Sequence, residues 1–364
     1  MTGLQIIVLA TPVFLLLIAI EFLVGLKRGR NTYRLNDALN SIGLGVLSQI
    51  AGVFGKLMTL GIYVLVFEHV SLWQLPTNAV WVWIVGLVFY DLCYYWKHRL
   101  GHTVALFWAA HVVHHQSEDY NLSTALRQTG TDWVAGWVFY LPMALLGFPP
   151  LVFGTVALID LLYQYWVHTQ QIGKLGWFDR WFCSPSNHRV HHAVNDRYLD
   201  KNYGGILIVW DRLFGSFTEE DDAEPCVYGT RGPLRSWNPV WANLHTYADM
   251  ATDSWRAKGW LDKLRVWFKH PGWRPADVAA RWLKPAFDIR RVERFDPPMS
   301  RAAQVAAAAV FLALLGGTTL FLWNVHRLSF AQQLASAAAL VAALWLVGWL
   351  SERLAPTGAS VFSR

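Results

Sequence analysis

Seven apolar runs punctuate the chain, at residues 4–26, 42–66, 79–97, 133–147, 149–167, 302–323 and 330–350. A helix needs about 20 mostly apolar residues to cross a bilayer, and only a helix or a closed barrel satisfies its backbone there. The fourth run is short, and Gly147-Phe148-Pro149-Pro150 joins it to the fifth. That pair reads as a helical hairpin whose depth in the membrane stays open. Composition agrees: 54% of residues are hydrophobic and 15% charged, whereas a soluble domain carries about 25% charge. A disordered chain, a coiled coil and a plain soluble enzyme are excluded. The expected fold is all-α, a polytopic membrane helical bundle of about five to seven spans.

The charges set an orientation. Lys27, Arg28, Arg30 and Arg34 follow the first run, and the loop from Phe67 to Asn78 has no Lys or Arg. Basic residues favour the cytoplasmic side, which places 98–132 and 168–301 there. A signal peptide carries its charges ahead of its apolar run, so the first run reads as a retained transmembrane helix. The net charge of +6 thus reads as membrane orientation, not as affinity for nucleic acid. Trp237, Trp241, Trp255, Trp260, Trp267 and Trp273 fall in the long region 168–301. Trp favours the membrane interface, and this region is expected to form a cytoplasmic cap resting on the bilayer. Three units follow: N-terminal transmembrane helices at 1–78, a catalytic unit at 79–300, and a C-terminal hairpin and tail at 301–364. Glu21 and Lys56 lie within apolar runs, and both are expected to snorkel to the interface. Cys93, Cys183 and Cys226 form no C-x-x-C pair, so neither a disulfide framework nor a zinc finger is indicated.

Histidine carries the chemistry. His98 and His102 are four apart, and His111, His114, His115 and His188, His191, His192 both repeat His-x-x-His-His. His168 ends the fifth run. On a helix, positions three or four apart share a face, so each cluster aims two or three imidazoles at one point. With 13 His in 364 residues, roughly 0.02 copies of His-x-x-His-His are expected by chance, against two present. All nine of these His fall on the expected cytoplasmic side, while His69 and His326 fall on the other. Buried imidazoles need partners, and metal satisfies them together. Imidazole suits Fe, Zn, Cu and Ni, and nine ligands exceed one ion and suit two with open positions. No His-Glu-x-x-His is present, so a zinc protease is not supported. Haem would use single axial ligands rather than adjacent His pairs.

Groups that orient the ligands are expected beside them. Asp91 shares a helical face with His98, as Asp160 and Gln164 do with His168. Ionisable residues inside membrane helices are functional candidates. Tyr120, Arg127 and Trp210 are candidates to line the headgroup side of a lipid substrate. His245 is a candidate tenth ligand or orienting residue. His270-Pro-Gly-Trp is too short a context for a cytochrome b5 domain.

The clusters, in this order and spacing, resemble those of the sterol desaturase and fatty acid hydroxylase superfamily. The nearest resemblance is to alkylglycerol monooxygenases. It rests on Trp108-Ala-Ala-His111-Val-Val-His114-His115, Pro185-Ser-Asn-His188-Arg-Val-His191-His192, Asp200-Lys-Asn-Tyr-Gly-Gly205 and Trp210-Asp-Arg-Leu-Phe-Gly-Ser-Phe217, and it spans about 85–245. The resemblance implies that the nine His bind two Fe ions, that O2 is activated there, and that a lipid C–H is oxidised. It implies tetrahydrobiopterin as reductant, with an external electron-transfer protein as the alternative. Two positions depart from that family: Asn187 stands where His is usual, and Thr103 where an acid is usual. The functions weighed are a lipid monooxygenase, a sterol or fatty acyl desaturase, and a non-catalytic membrane metal or electron carrier. A bacterial inner membrane and an endoplasmic reticulum both fit.

Overall fold

The computed structural model describes residues 3–353. Ten helices organise it. They are α1 (Gly3–Lys27), α2 (Leu35–Val70), α3 (Val80–Thr103), α4 (Ala105–His115), α5 (Pro150–Trp166), α6 (Pro185–His192), α7 (Pro239–Arg256), α8 (Trp260–Phe268), α9 (Arg301–Asn324) and α10 (Phe330–Arg353). Shorter helical turns lie between them, and among the described residues there is no strand, only isolated bridges pairing Phe182 with Leu207 and Ala193 with Tyr228. Local chemistry explains the starts. Proline opens α5, α6 and α7, where its missing N–H is not needed. Ser184, Asn238 and Ser300 cap α6, α7 and α9 by accepting from backbone N–H groups one turn in.

Among the described residues, four helices are long and apolar enough to cross a membrane: α1, the Leu35–Gly55 part of α2, Arg301–Arg327 and Phe330–Glu352. This falls short of the expected five to seven spans: runs 79–97 and 149–167 form α3 and α5, which are not among the four. Run 42–66 is helical as expected, inside one continuous helix, α2, of 36 residues. Run 133–147 is no spanning helix but two 3-10 turns, Asp132–Val134 and Gly136–Tyr140, followed by Leu141–Leu145. Its polar start is held by Lys97, whose Nζ donates to Asp132 at 2.8 Å. Its turn is held by Leu72 and Leu75, whose N–H groups donate to the Leu145 and Gly147 carbonyls.

Two apolar cores sit side by side. One joins α2 to α9 and α10 through Leu39, Ile50, Phe311, Leu314 and Leu344. The other joins α3, α5 and the far half of α2 through Tyr63, Tyr90, Tyr140, Phe148 and Val152. The His-bearing segments lie at one end of these helices. Val104, in extended conformation between α3 and α4, lets α4 fold back beside α3. The helices α7 and α8 cover α4, leaving Trp255 and Trp260 on the surface at 85% and 82% exposure.

Glu21 does not snorkel. It is buried, and its carboxylate accepts from Leu122 N at 2.8 Å and from the Tyr33 and Thr169 hydroxyls. Three donors from three segments replace its hydration, so the interior satisfies the charge. The side chain of Lys56 lies outside the described residues.

Candidate metal centre

Nine imidazoles converge into two groups. His98, His102, His111, His115 and His191 form one, and His114, His168, His188 and His192 the other, with candidate ligand atoms in each group within 4.8 Å of one another. Both groups draw on separate parts of the chain: α3, α4 and α6 supply the first, and α4, the turn just after α5, and α6 supply the second. The i, i+3, i+4 spacing of α4 and α6 thus splits between two foci rather than serving one. His111 and His115 turn to one side and His114 to the other.

The ring nitrogens meet in a way that calls for a cation. In the four-His group, His168 Nδ1 lies 2.8 Å from the Gln164 carbonyl, and His114 Nδ1 lies 2.8 Å from the Arg127 carbonyl. A carbonyl only accepts, so both Nδ1 atoms carry the proton and both Nε2 atoms present lone pairs. Those two Nε2 atoms face each other at 3.2 Å. In the five-His group, His98 Nδ1 donates to the Tyr203 carbonyl and His191 Nδ1 to the Lys201 carbonyl. The Nε2 of His191 is buried without a hydrogen-bond partner. Lone pairs aimed at one point in a dry site repel unless a positive ion lies between them. Other Nε2 pairs, His98 with His111, His115 with His111 and His188 with His168, lie 3.0–3.1 Å apart. That is close to the spacing of adjacent ligands on one ion with bonds of about 2.1 Å. The donor set therefore fits a metal in each group.

Electrostatics keeps the rings ready. Burial, and then repulsion from neighbouring imidazoles, holds His111, His115, His188, His191 and His192 well below the ordinary His range. Burial pushes His114 down to about 4, against the raising effect of its bond to the Arg127 carbonyl. Neutral imidazole is the ligating form.

The sequence-derived orienting residues act at one remove. Asp91 meets the loop after α6: it accepts from Ile206 N at 2.7 Å, Leu207 N at 3.0 Å and Trp210 Nε1 at 2.8 Å. That loop carries the Tyr203 carbonyl that holds His98. Asp160 accepts from Gln164 Nε2, and Gln164 Oε1 accepts from the Tyr94 hydroxyl. The Gln164 backbone carbonyl, not its amide side chain, orients His168. Asn187 donates to the Asp179 and Phe182 carbonyls and fixes the start of α6. Arg127 does not face a headgroup. It is buried, donates from Nε to the Val113 carbonyl at 2.8 Å and from Nη1 to Ser41, and presents its own carbonyl to His114. Tyr120 is buried too: its hydroxyl donates to the Val167 carbonyl and its ring lies against His168 and His192. Trp210 ties its N–H to Asp91 and lines an apolar cleft with its ring. His245 belongs to neither group; its Nδ1 meets the Ala242 carbonyl.

Three residues escaped the sequence reading. Asp211 accepts from Tyr203 N and Gly204 N at 2.8 and 2.7 Å, shaping the turn that presents the Tyr203 carbonyl. Gly205 sits so close to α3 and α5 that a Cβ would meet Asp160 Oδ1 at 2.7 Å and Asp91 Oδ1 at 2.9 Å. Asp200 lies between His102 Nδ1 at 3.4 Å and His270 Nε2 at 3.0 Å. All three fall in the stretches Asp200–Gly205 and Trp210–Phe217, so the signal was present but its geometry was not.

Comparison with known proteins agrees with this layout. A family model described as fatty acid hydroxylase matches residues 83–216, which include all nine His. Alkylglycerol monooxygenase of Homo sapiens is 42% identical over 267 residues, 73% of this chain and 59% of that protein. The Danio rerio alkylglycerol monooxygenase is 37% identical over 84% of this chain and 68% of its own length. The Xenopus tropicalis protein of that name is 36% identical with the same coverage. The chain thus spans about three-fifths to two-thirds of the length of these relatives. No solved structure matches. With the histidine clusters, the fold and relatives above 30% identity in agreement, the chain belongs to the sterol desaturase and fatty acid hydroxylase superfamily.

Proposed function

We propose that the chain is an integral-membrane, O2-dependent hydroxylase of a lipid C–H bond, with an ether lipid as substrate. Two irons are held in it, one by the five-His group and one by the four-His group. The observation that carries this reading is the pair of converging, buried imidazole foci, each with lone pairs facing one point. The named activity of the relatives supports the ether-lipid substrate. The monooxygenase relatives favour this reading over a non-catalytic carrier.

The bound irons would supply O2 activation, which no side chain provides. The protein's own part is positional. Backbone carbonyls of Tyr203, Arg127, Gln164 and Lys201 fix four ring tautomers. Eight of the nine rings are buried and His111 is half-buried, which limits the access of bulk water. The overall change is R–H + O2 + two electrons + two protons to R–OH + water. On the carbon beside an ether oxygen, the product is a hemiacetal, which opens to an aldehyde and a free alcohol. The electrons come from tetrahydrobiopterin or from an electron-transfer protein. The Lys and Arg distribution supports a site on the cytoplasmic side.

The test is purified protein with alkylglycerol carrying a label in the alkyl chain, reductant and 18O2. Labelled fatty aldehyde bearing one 18O is expected. Intact substrate, or a chain desaturated without oxygen incorporation, would contradict the assignment.

A further inference from the structure

The stretch His270-Pro-Gly-Trp forms a tight turn just past α8. Trp273 N donates to the His270 carbonyl at 3.0 Å, and Gly272 takes a φ of +85°, which favours glycine. The residue before the turn ties it to α4. The Lys269 carbonyl accepts from Ala105 N at 2.9 Å, a donor that the first turn of a helix leaves free. His270 then reaches from the cap to Asp200, with Nε2 3.0 Å from Oδ2.

Asp200 opens a four-residue turn that serves three ligands. Its Oδ1 lies 3.4 Å from His102 Nδ1. The Lys201 carbonyl meets His191 Nδ1 at 3.0 Å, and the Tyr203 carbonyl meets His98 Nδ1 at 2.8 Å. All three rings belong to the five-His group. In the four-His group, His114 and His168 take their carbonyls from elsewhere, at Arg127 and Gln164. Asp200 and Asn202 both have a φ of 57°, in the left-handed region. Asn202 is locked there: its side chain donates to the Asn187 and Thr218 carbonyls and accepts from Thr218 N. The Asp200 carboxylate is tied instead to His102 and His270. His98, His114, His168 and His191 meet neutral carbonyls, whereas His102 meets a carboxylate, which raises the basicity of a ligating ring.

We propose that Asp200 and His270 are positioning residues of the five-His group, with His270 pinning, from the cap, the turn that orients three of its five rings. The inference rests on the metal reading above. Retention of metal by the five-His group is therefore tied to closure of the cap over α4, and retention by the four-His group is not. The His270 side chain is 54% exposed, and an exposed pair adds little to stability. Its effect falls on where the carboxylate points, so it is read at the metal rather than in Tm.

The test challenges purified protein, loaded with Mössbauer-active iron, with a chelator, and follows both the rate of release and the spectrum of the iron that remains. Asp200→Asn keeps the side chain's shape and tolerates the left-handed backbone. In it, one iron is expected to leave about tenfold faster than in the parent, and the other at the parent's rate. In His270→Ala the same iron is expected to leave about threefold faster, and His270→Gln, which keeps an N–H donor, to restore most of the parent's rate. The signal lost first should be the one missing from His102→Ala and present in His168→Ala. Release at the parent's rate in both Asp200→Asn and His270→Ala, equal acceleration of both irons, or no rescue by glutamine overturns the inference and leaves the metal reading in place. A parent that holds no iron at the five-His group overturns both.

Discussion

At the scale of single residues, backbone atoms hold the centre more than the acids that the helical register singled out. Gly205 is a clear case, because its missing side chain lets the loop after α6 sit against Asp91 and Asp160. A methyl group there has nowhere to go without moving backbone or a buried carboxylate. Gly205→Ala is expected to shift the Tyr203 carbonyl from His98 and to lower metal content by half or more, read by metal analysis of protein that still folds. Asp211 offers a test by pH. Burial first of all pushes its carboxyl up to about 6, against bonds from Ser216, Tyr203 and Gly204 that lower it. Between about pH 4 and 6 the unfolded chain has lost this proton and the folded chain keeps it, so the group's contribution to stability falls as pH rises through that window and is flat above it. Relative to Asp211→Asn, the parent is expected to lose on the order of 3 kcal/mol across it. Denaturation at a series of pH values checks the slope; a difference that does not vary with pH contradicts it. Arg127 is fully committed to Val113, Ser41 and Gln116. Arg127→Met leaves those acceptors buried and unpaired, an expected loss of about 3 kcal/mol or more, visible as a lowered Tm in detergent.

At the scale of elements, the helical register of the His clusters was legible, and so were the apolar runs, because both follow from side-chain periodicity. Three things were not. The run at 133–147 has the composition of a membrane helix but begins at Asp132, ion-paired to Lys97, and breaks at Pro142; composition does not register such pairing. The split of one motif between two foci depends on how α4 lies across α6. The role of Arg127 depends on its burial, which a lone basic residue in a loop does not announce. Glu21 shows the same limit. In a run of apolar residues it reads as a charge reaching for the interface, yet it fastens α1 to Leu122, beside Tyr120, and to Thr169, beside His168. Glu21→Ala is expected to loosen the four-His group selectively. Metal per chain should fall toward one, with Glu21→Gln retaining more than Glu21→Ala. Equal loss in both variants, or none, would remove Glu21 from this role.

At the scale of the whole molecule, the bundle and its histidine layer form one device. The helices α2, α9 and α10 make a membrane-embedded buttress through Leu39, Phe311 and Leu344. The second core of α3 and α5 carries His98 and His102 at its end and His168 just past it. The cap folds over α4, which supplies a ligand to both foci and so couples them mechanically. That layout was foreseeable as a membrane bundle with metal-binding His at one end; the pairing of five rings with four was not.

The most direct measurement is metal per chain in the parent and in two single variants, His102→Ala from the five-His group and His168→Ala from the four-His group. The account predicts about two iron atoms in the parent and about one in each variant, with the residual iron in a different environment by X-ray absorption. A single ion in the parent, zinc in place of iron, or undiminished iron in both variants would contradict it.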